Sequence, residues 1–159
     1  MEVMTKWLKN VNVKRLKKLF KDLGIHLVEK RIREQAKIAL DFHRQQGAIT
    51  VILSASVRDV CEPVRRYLKM DDIICTEMEL DNGVYSGKVM GNYCYGEEKL
   101  YRVKEYCKMH HFDINNAWYY ADSFSDLSVL SAVGHPVCVS PDRKLEQHAR
   151  EKSWTIENW

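Results

Sequence analysis

The chain has 159 residues, 45% of them hydrophobic and 30% charged. That is enough for one domain with a real core, and it excludes both a disordered and a collagen-like chain. No apolar run approaches a membrane span, so no membrane partner is expected.

The net charge of +3 hides an asymmetry. Residues 1–50 carry 12 Lys/Arg against 5 Asp/Glu, and the remainder carry 13 against 17. A basic front could bind nucleic acid, but such a run also fits the solvated face of a helix, and residues 14–21 hold a single aromatic, Phe20, rather than the repeated aromatic interleaving of single-strand binders. A nucleic-acid partner is therefore not expected. Residues 1–21 are basic and amphipathic, without the uninterrupted apolar centre of a signal peptide. Cys61, Cys75, Cys94, Cys107 and Cys138 are odd in number and form no CxxC, which fits reduced thiols in a cytoplasmic protein and argues against zinc.

Asn12 is a good cap for a first helix whose apolar positions Leu16, Leu19, Phe20 and Leu23 recur at helical spacing, with Gly24 as its stop. A second helix is expected over residues 28–46, with Ile32, Ala36, Ala39 and His43 on one face. The period then changes. Residues 48–53 (Ala-Ile-Thr-Val-Ile-Leu) read as a strand buried in a parallel sheet, ending in Ser54-Ala55-Ser56. Three small residues at a strand end let backbone amides approach an anion, or they form an ordinary turn with a Ser cap.

Pro63 suits only the first turn of a helix, so a helix is expected over 63–69. A short strand at 73–76 follows, then a hairpin over 78–88 turning at Asp81-Asn82-Gly83. Residues 97–110 read as a helix carrying Lys99 in its first turn, where the helix dipole disfavours a cation. That placement hints at a task, although a solvated lysine explains it too.

Residues 117–121 form a β-prone run that ends in Asp122. Asp126 follows four residues later, then a helix over 127–133 stopped by Gly134. Two carboxylates on one strand-to-helix turn suit a hard cation such as Mg²⁺, while Ser125 or Asp126 could equally cap the helix. A strand at 136–139, a helix from Pro141-Asp142 to about residue 152 and a strand at 154–156 complete the alternation. That order argues an α/β fold with a doubly wound parallel sheet. An anion cradle, a lysine and metal carboxylates together describe phosphoryl-transfer chemistry.

These stretches resemble a known family. Ile52-Leu53-Ser54-Ala55-Ser56, Cys94-Tyr95-Gly96-Glu97-Glu98-Lys99, Tyr120-Ala121-Asp122-Ser123-Phe124-Ser125-Asp126-Leu127 and the run from Gly134 to Asp142 look like the haloacid dehalogenase-like hydrolases, phosphoserine-phosphatase-like branch. The resemblance implies a Rossmann-like core over 29–159, a small β-hairpin flap and, over 1–28, the remnant of a helical cap. It implies that Ser54, with Ala55 and Ser56, binds a phosphoryl oxygen of a small phosphorylated molecule. Lys99 would neutralise the phosphate and nucleophile. Asp122 would ligate Mg²⁺, and Asp126 would orient the metal's water or Lys99.

Two departures stand out. Ala121 occupies a position where the family prefers Gly, and the family's first motif, a strand ending in Asp-x-Asp, is missing. Asp22 and Asp41 lie in helical contexts, and Asp71-Asp72 is adjacent rather than alternating. Without the aspartyl nucleophile, little or no activity is expected from this chain alone. It reads as a truncated product, as one piece of an assembly in which a second chain supplies the strand, or as a non-catalytic phosphate- or protein-binding relative.

Overall fold

A computed structural model describes residues 5–159, and over residues 21–29 the backbone alone. The chain divides into two compact units, one ending at Cys94 and the other spanning Tyr95–Trp159.

The first unit opens with α1 (Val13–Arg31). Asn12 caps it as expected: its Oδ1 accepts the amides of Lys14 at 2.9 Å and Arg15 at 3.3 Å. Gly24 does not stop the helix, which runs on to Arg31. A single helical Gly costs only about 1 kcal/mol against Ala and does not by itself end a helix. The break falls instead at residues 32–33, and α2 (Glu34–Gln45) starts six residues later than expected. Leu16 is buried against the following hairpin, whereas Leu19 is half exposed, and the expected packing of Leu23 lies outside the described residues. His43 is half-buried, edge-on to Phe42.

The first strand, β1 (Val51–Val57), pairs in parallel with β2 (Asp72–Thr76). It begins later than expected and does not end at Ser54. The ladder runs from Val51↔Asp72 to Leu53↔Ile74 and resumes at Val57↔Thr76, so Ser54-Ala55-Ser56 form a bulge. Among the described residues β1 pairs with no strand other than β2. Asp71 anchors the entry to this pair, its Oδ2 accepting the Thr50 amide at 2.7 Å and the Thr50 hydroxyl at 2.8 Å.

Helix α3 (Arg58–Tyr67) starts five residues before Pro63 and holds it in mid-helix, against expectation. On the same turn Arg65 and Arg66 clamp Glu62, with contacts from 2.6 to 2.9 Å. The hairpin of β3 (Met78–Asp81) and β4 (Val84–Val89) turns at Asn82-Gly83, both at positive φ (48° and 81°), the two-residue turn the dipeptide favours. Leu16, Val57, Met78 and Tyr85 form this unit's larger core.

The second unit is a three-stranded parallel sheet, β5 (Trp118–Ala121), β6 (His135–Val139) and β7 (Thr155–Glu157), in that order. Helices α4 (Glu97–His110), α5 (Leu127–Leu130) and α6 (Arg143–Glu151) accompany it. Ala121, Leu130, Cys138, Leu145 and Ala149 form its core. Helix α5 starts where expected, after a 3₁₀ turn over residues 124–126, and ends at Leu130, three residues short of the expected 133. Gly134 has a packing role: a Cβ there would stand 1.7 Å from the Asn115 carbonyl oxygen. The expected α/β class, with parallel strands alternating with helices, is what the chain adopts. No helix among the described residues is long and apolar enough to cross a membrane.

Candidate active site

Helix α4 starts at Gly96, whose φ of 55° and ψ of −128° suit a residue without Cβ. The turn aims Lys99 inward, and its side chain is only 8% exposed. A cation in the first turn of a helix needs compensation. Asp126 provides it: its Oδ1 pairs with Lys99 Nζ, and its own side chain is 9% exposed. Tyr119, on β5, donates its hydroxyl to the same oxygen at 2.9 Å. Lys99 is therefore buried and paired rather than solvated.

The turn between β5 and α5 separates the two carboxylates. Asp122 follows the last residue of β5 and is exposed, while Asp126 is buried. Neither Ser125 nor Asp126 caps the helix. Ser123 instead caps the 3₁₀ turn over residues 124–126 that precedes the helix, its Oγ accepting the Ser125 amide at 3.3 Å and the Ser125 hydroxyl at 3.0 Å.

Asp142 braces this turn. Its Oδ2 accepts the Phe124 amide at 2.7 Å, and its Oδ1 accepts the amides of Leu145 at 2.9 Å and Lys144 at 3.1 Å. The Leu145 and Phe124 amides hold its carboxyl below the usual range. Its own amide donates to the Asp122 carbonyl at 2.8 Å. Sequence reasoning assigned no site role to Asp142 or Tyr119. The Pro-Asp helix start gave a signal for Asp142; nothing in the sequence singles out Tyr119.

Ser54, Ala55 and Ser56 belong to the first unit, in the β1 bulge. Ser54 Oγ accepts the Ser56 amide at 3.1 Å, so that donor is satisfied within the bulge. The Ala55 carbonyl accepts from Thr76 Oγ1 at 2.8 Å, and Thr76 Oγ1 accepts the Cys94 amide at 3.0 Å. These bonds hold the bulge as a fixed feature. In the second unit the structure brings Lys99 and Asp126 together and sets Asp122 on the same turn.

Among the described residues no three His, Cys, Asp or Glu side chains cluster to hold a metal. Mg²⁺ needs few protein ligands and keeps water and phosphate oxygens in its shell. Asp122, an exposed carboxylate at a strand end, fits that partial donor set. Asp126, already shared by an ammonium and a phenol hydroxyl, is suited to fixing Lys99 rather than to binding a cation.

Residues 1–131 match the family model of the haloacid dehalogenase-like hydrolases. A probable phosphatase of Mycobacterium tuberculosis is 34% identical over 114 residues, 72% of this chain and 39% of that protein. A Bordetella pertussis protein of unknown function superposes with a TM-score of 0.91 at 22% identity, over 98% of this chain and 71% of that one. A probable phosphoserine phosphatase from Vibrio cholerae gives 0.74 at 17% identity, over 98% and 45% respectively. The chain spans about half the length, 52% and 39%, of two curated relatives it matches.

Proposed function

We propose that this chain, which belongs to the haloacid dehalogenase-like hydrolases in their phosphoserine-phosphatase-like branch, is the Mg²⁺- and phosphate-binding part of a phosphomonoester hydrolase and does not turn substrate over alone. The buried Lys99–Asp126 pair with Tyr119 carries the reading. A protein rarely buries an ammonium without a use for it.

In this reading Asp126 and Tyr119 fix Lys99, which supplies positive charge to a phosphoryl group. Ser54 donates its hydroxyl hydrogen to a phosphoryl oxygen, flanked by Ala55 and Ser56. Asp122 holds Mg²⁺, which when bound neutralises phosphoryl charge. Lys99 already balances Asp126, so the turn presents one net negative charge, that of Asp122, to a cation.

The chain contains no Asp-x-Asp, so it supplies no aspartyl nucleophile. A second chain or a further segment would bring that strand, and β1, laddered on one side among the described residues, offers a place for it. On this view α1 is the remnant of a cap, and the five thiols suit the cytoplasm.

The test pairs binding with turnover. Isolated chain with Mg²⁺ should bind inorganic phosphate saturably by calorimetry, and Asp122→Asn should abolish this. It should hydrolyse p-nitrophenyl phosphate no faster than Asp122→Asn does. Robust Mg²⁺-dependent hydrolysis lost in that variant would remove the claim of inactivity, and absence of phosphate binding would remove the site. The second reading, a non-catalytic phosphate- or protein-binding module, draws on the same missing motif. An Asp-x-Asp strand encoded in frame upstream of Met1 would decide against it.

A further inference from the structure

We infer that a groove in the first unit, walled by α1, α3 and the β3–β4 hairpin, binds a small organic anion with an apolar body, a carboxylate of the fatty-acid kind. The inference does not rest on the phosphatase reading, because neither Ser54 nor its two neighbours line the groove.

The groove has a volume of about 750 Å³. Small-molecule pockets span about 300–1,000 Å³ and are mostly apolar, with a few placed polar groups. Val13, Pro63, Tyr67, Met78, Leu80 and Tyr85 supply the apolar lining here. Met78 and Tyr85 also belong to the core beneath, at 7% and 3% exposure, while Leu80 is 51% exposed. The walls are held by bonds that do not involve a ligand. The stretch before α1 lies against β4: the Asn10 amide donates to the Tyr85 carbonyl at 2.8 Å, and the Tyr85 amide to the Val11 carbonyl at 3.1 Å. Tyr85 then reaches α3, donating its hydroxyl to Asp59.

Charge decides what the groove takes. Its lining holds four cations, Lys17, Lys18, Arg58 and Arg66, and three carboxylates, Asp59, Glu62 and Glu77. Every carboxylate is engaged. Asp59 accepts from Tyr85, Glu62 accepts Arg66 Nε at 2.6 Å and Arg65 Nη2 at 2.9 Å, and Glu77 accepts Arg58 Nε at 2.7 Å. Both lining arginines are thus committed to the wall itself. Lys17 and Lys18 are exposed and have no carboxylate partner among the described residues. Their place follows from Leu16, which is buried with Met78 and Tyr85 and turns the next two residues outward.

An apolar recess beside two uncommitted ammonium groups suits a ligand with matching halves. The hydrocarbon body leaves water for the apolar lining, which is the source of affinity. The carboxylate stays at the wet rim against Lys17 and Lys18, so it keeps part of its hydration and the ion pairs add selectivity more than strength. A neutral alcohol of the same length forgoes those pairs. An amine of the same length meets a lining with one surplus positive charge. The groove should therefore rank acid above alcohol and alcohol above amine.

Decanoate, decanol and decylamine, titrated into the full chain by calorimetry at low salt and below micelle formation, test this ranking. Decanoate should saturate at one molecule per chain. Decanol should bind more weakly by about three- to thirtyfold, the worth of two exposed ion pairs, and decylamine more weakly still. Raising the salt should narrow the gap between acid and alcohol. Lys17→Gln joined to Lys18→Gln should lower decanoate to the affinity of decanol, and Leu80→Glu, at an exposed wall position, should weaken decanoate at least as much. The proposal is overturned if decanoate fails to saturate, if decanol or decylamine binds as tightly, or if the double lysine variant keeps wild-type affinity. The wild-type ligand series decides the matter even if a variant fails to fold.

Discussion

Lys99→Met tests the buried pair directly. The wild-type ion pair is nearly dry, with side chains 8% and 9% exposed. Removing the ammonium leaves Asp126 buried with Tyr119 as the donor on its paired oxygen. A charge-assisted hydrogen bond contributes about 1.5–3 kcal/mol, and the stranded carboxylate adds its own desolvation, so the expected loss is about 3–5 kcal/mol. With a urea slope of about 2 kcal/mol/M, the unfolding midpoint should fall by roughly 2 M. Asp126→Asn should cost a similar amount by stranding Lys99. Joining Lys99→Met to Asp126→Leu removes both charges and should cost less than the two single losses summed. Urea unfolding followed by circular dichroism gives all three midpoints. Single-variant losses under about 1 kcal/mol, the scale of an exposed pair, would refute the argument that this pair is dry and coupled.

Gly134→Ala should lower the melting temperature measurably, a cost of about 1–3 kcal/mol by overpacking, because the new Cβ meets the Asn115 carbonyl oxygen at 1.7 Å; a wild-type calorimetric melt would contradict this. Glu62 titrates at about 2, below its ordinary 4.5, chiefly through its bonds to Arg65. The stability this contributes is present above pH 4.5 and fades as pH falls towards 2, so Glu62→Gln should flatten the acid limb of unfolding free energy against pH. An unchanged acid limb would show the clamp contributes nothing. Asn12→Ala removes the cap on the Lys14 and Arg15 amides and should cost about 1 kcal/mol in urea unfolding, with Asn12→Asp restoring most of it.

The legible parts of the fold were those encoded by local chemistry. Asn82-Gly83 takes the positive φ values its hairpin requires, and Asp142 and Asn12 cap the helices they precede. What misled were residues read as punctuation. Gly24 costs a helix too little to stop it. Pro63 forfeits one donor, yet it lies inside α3 rather than at its start. The end of β1 was misplaced because a β-bulge is a property of two strands. Ser54-Ala55-Ser56 read alone as a terminus, and only the register with β2 shows the strand continuing to Val57.

The site divides in the same way. That Lys99 needs compensation can be inferred from its position, since a cation at a helix start opposes the dipole, yet its partner is ambiguous in the sequence. Asp122 and Asp126 are chemically identical in sequence, four residues apart on one turn. What distinguishes them is burial, which depends on the 3₁₀ winding of residues 124–126 and on Tyr119 from the strand before it. One carboxylate is turned inward, where an ammonium must neutralise it; the other is left in water at the strand end. Periodicity carries no information about that choice, because both residues lie outside any regular repeat. The selection between a buried partner for Lys99 and an exposed carboxylate is made by tertiary packing, and the hydroxyl of Tyr119, which no motif singles out, is part of what makes it.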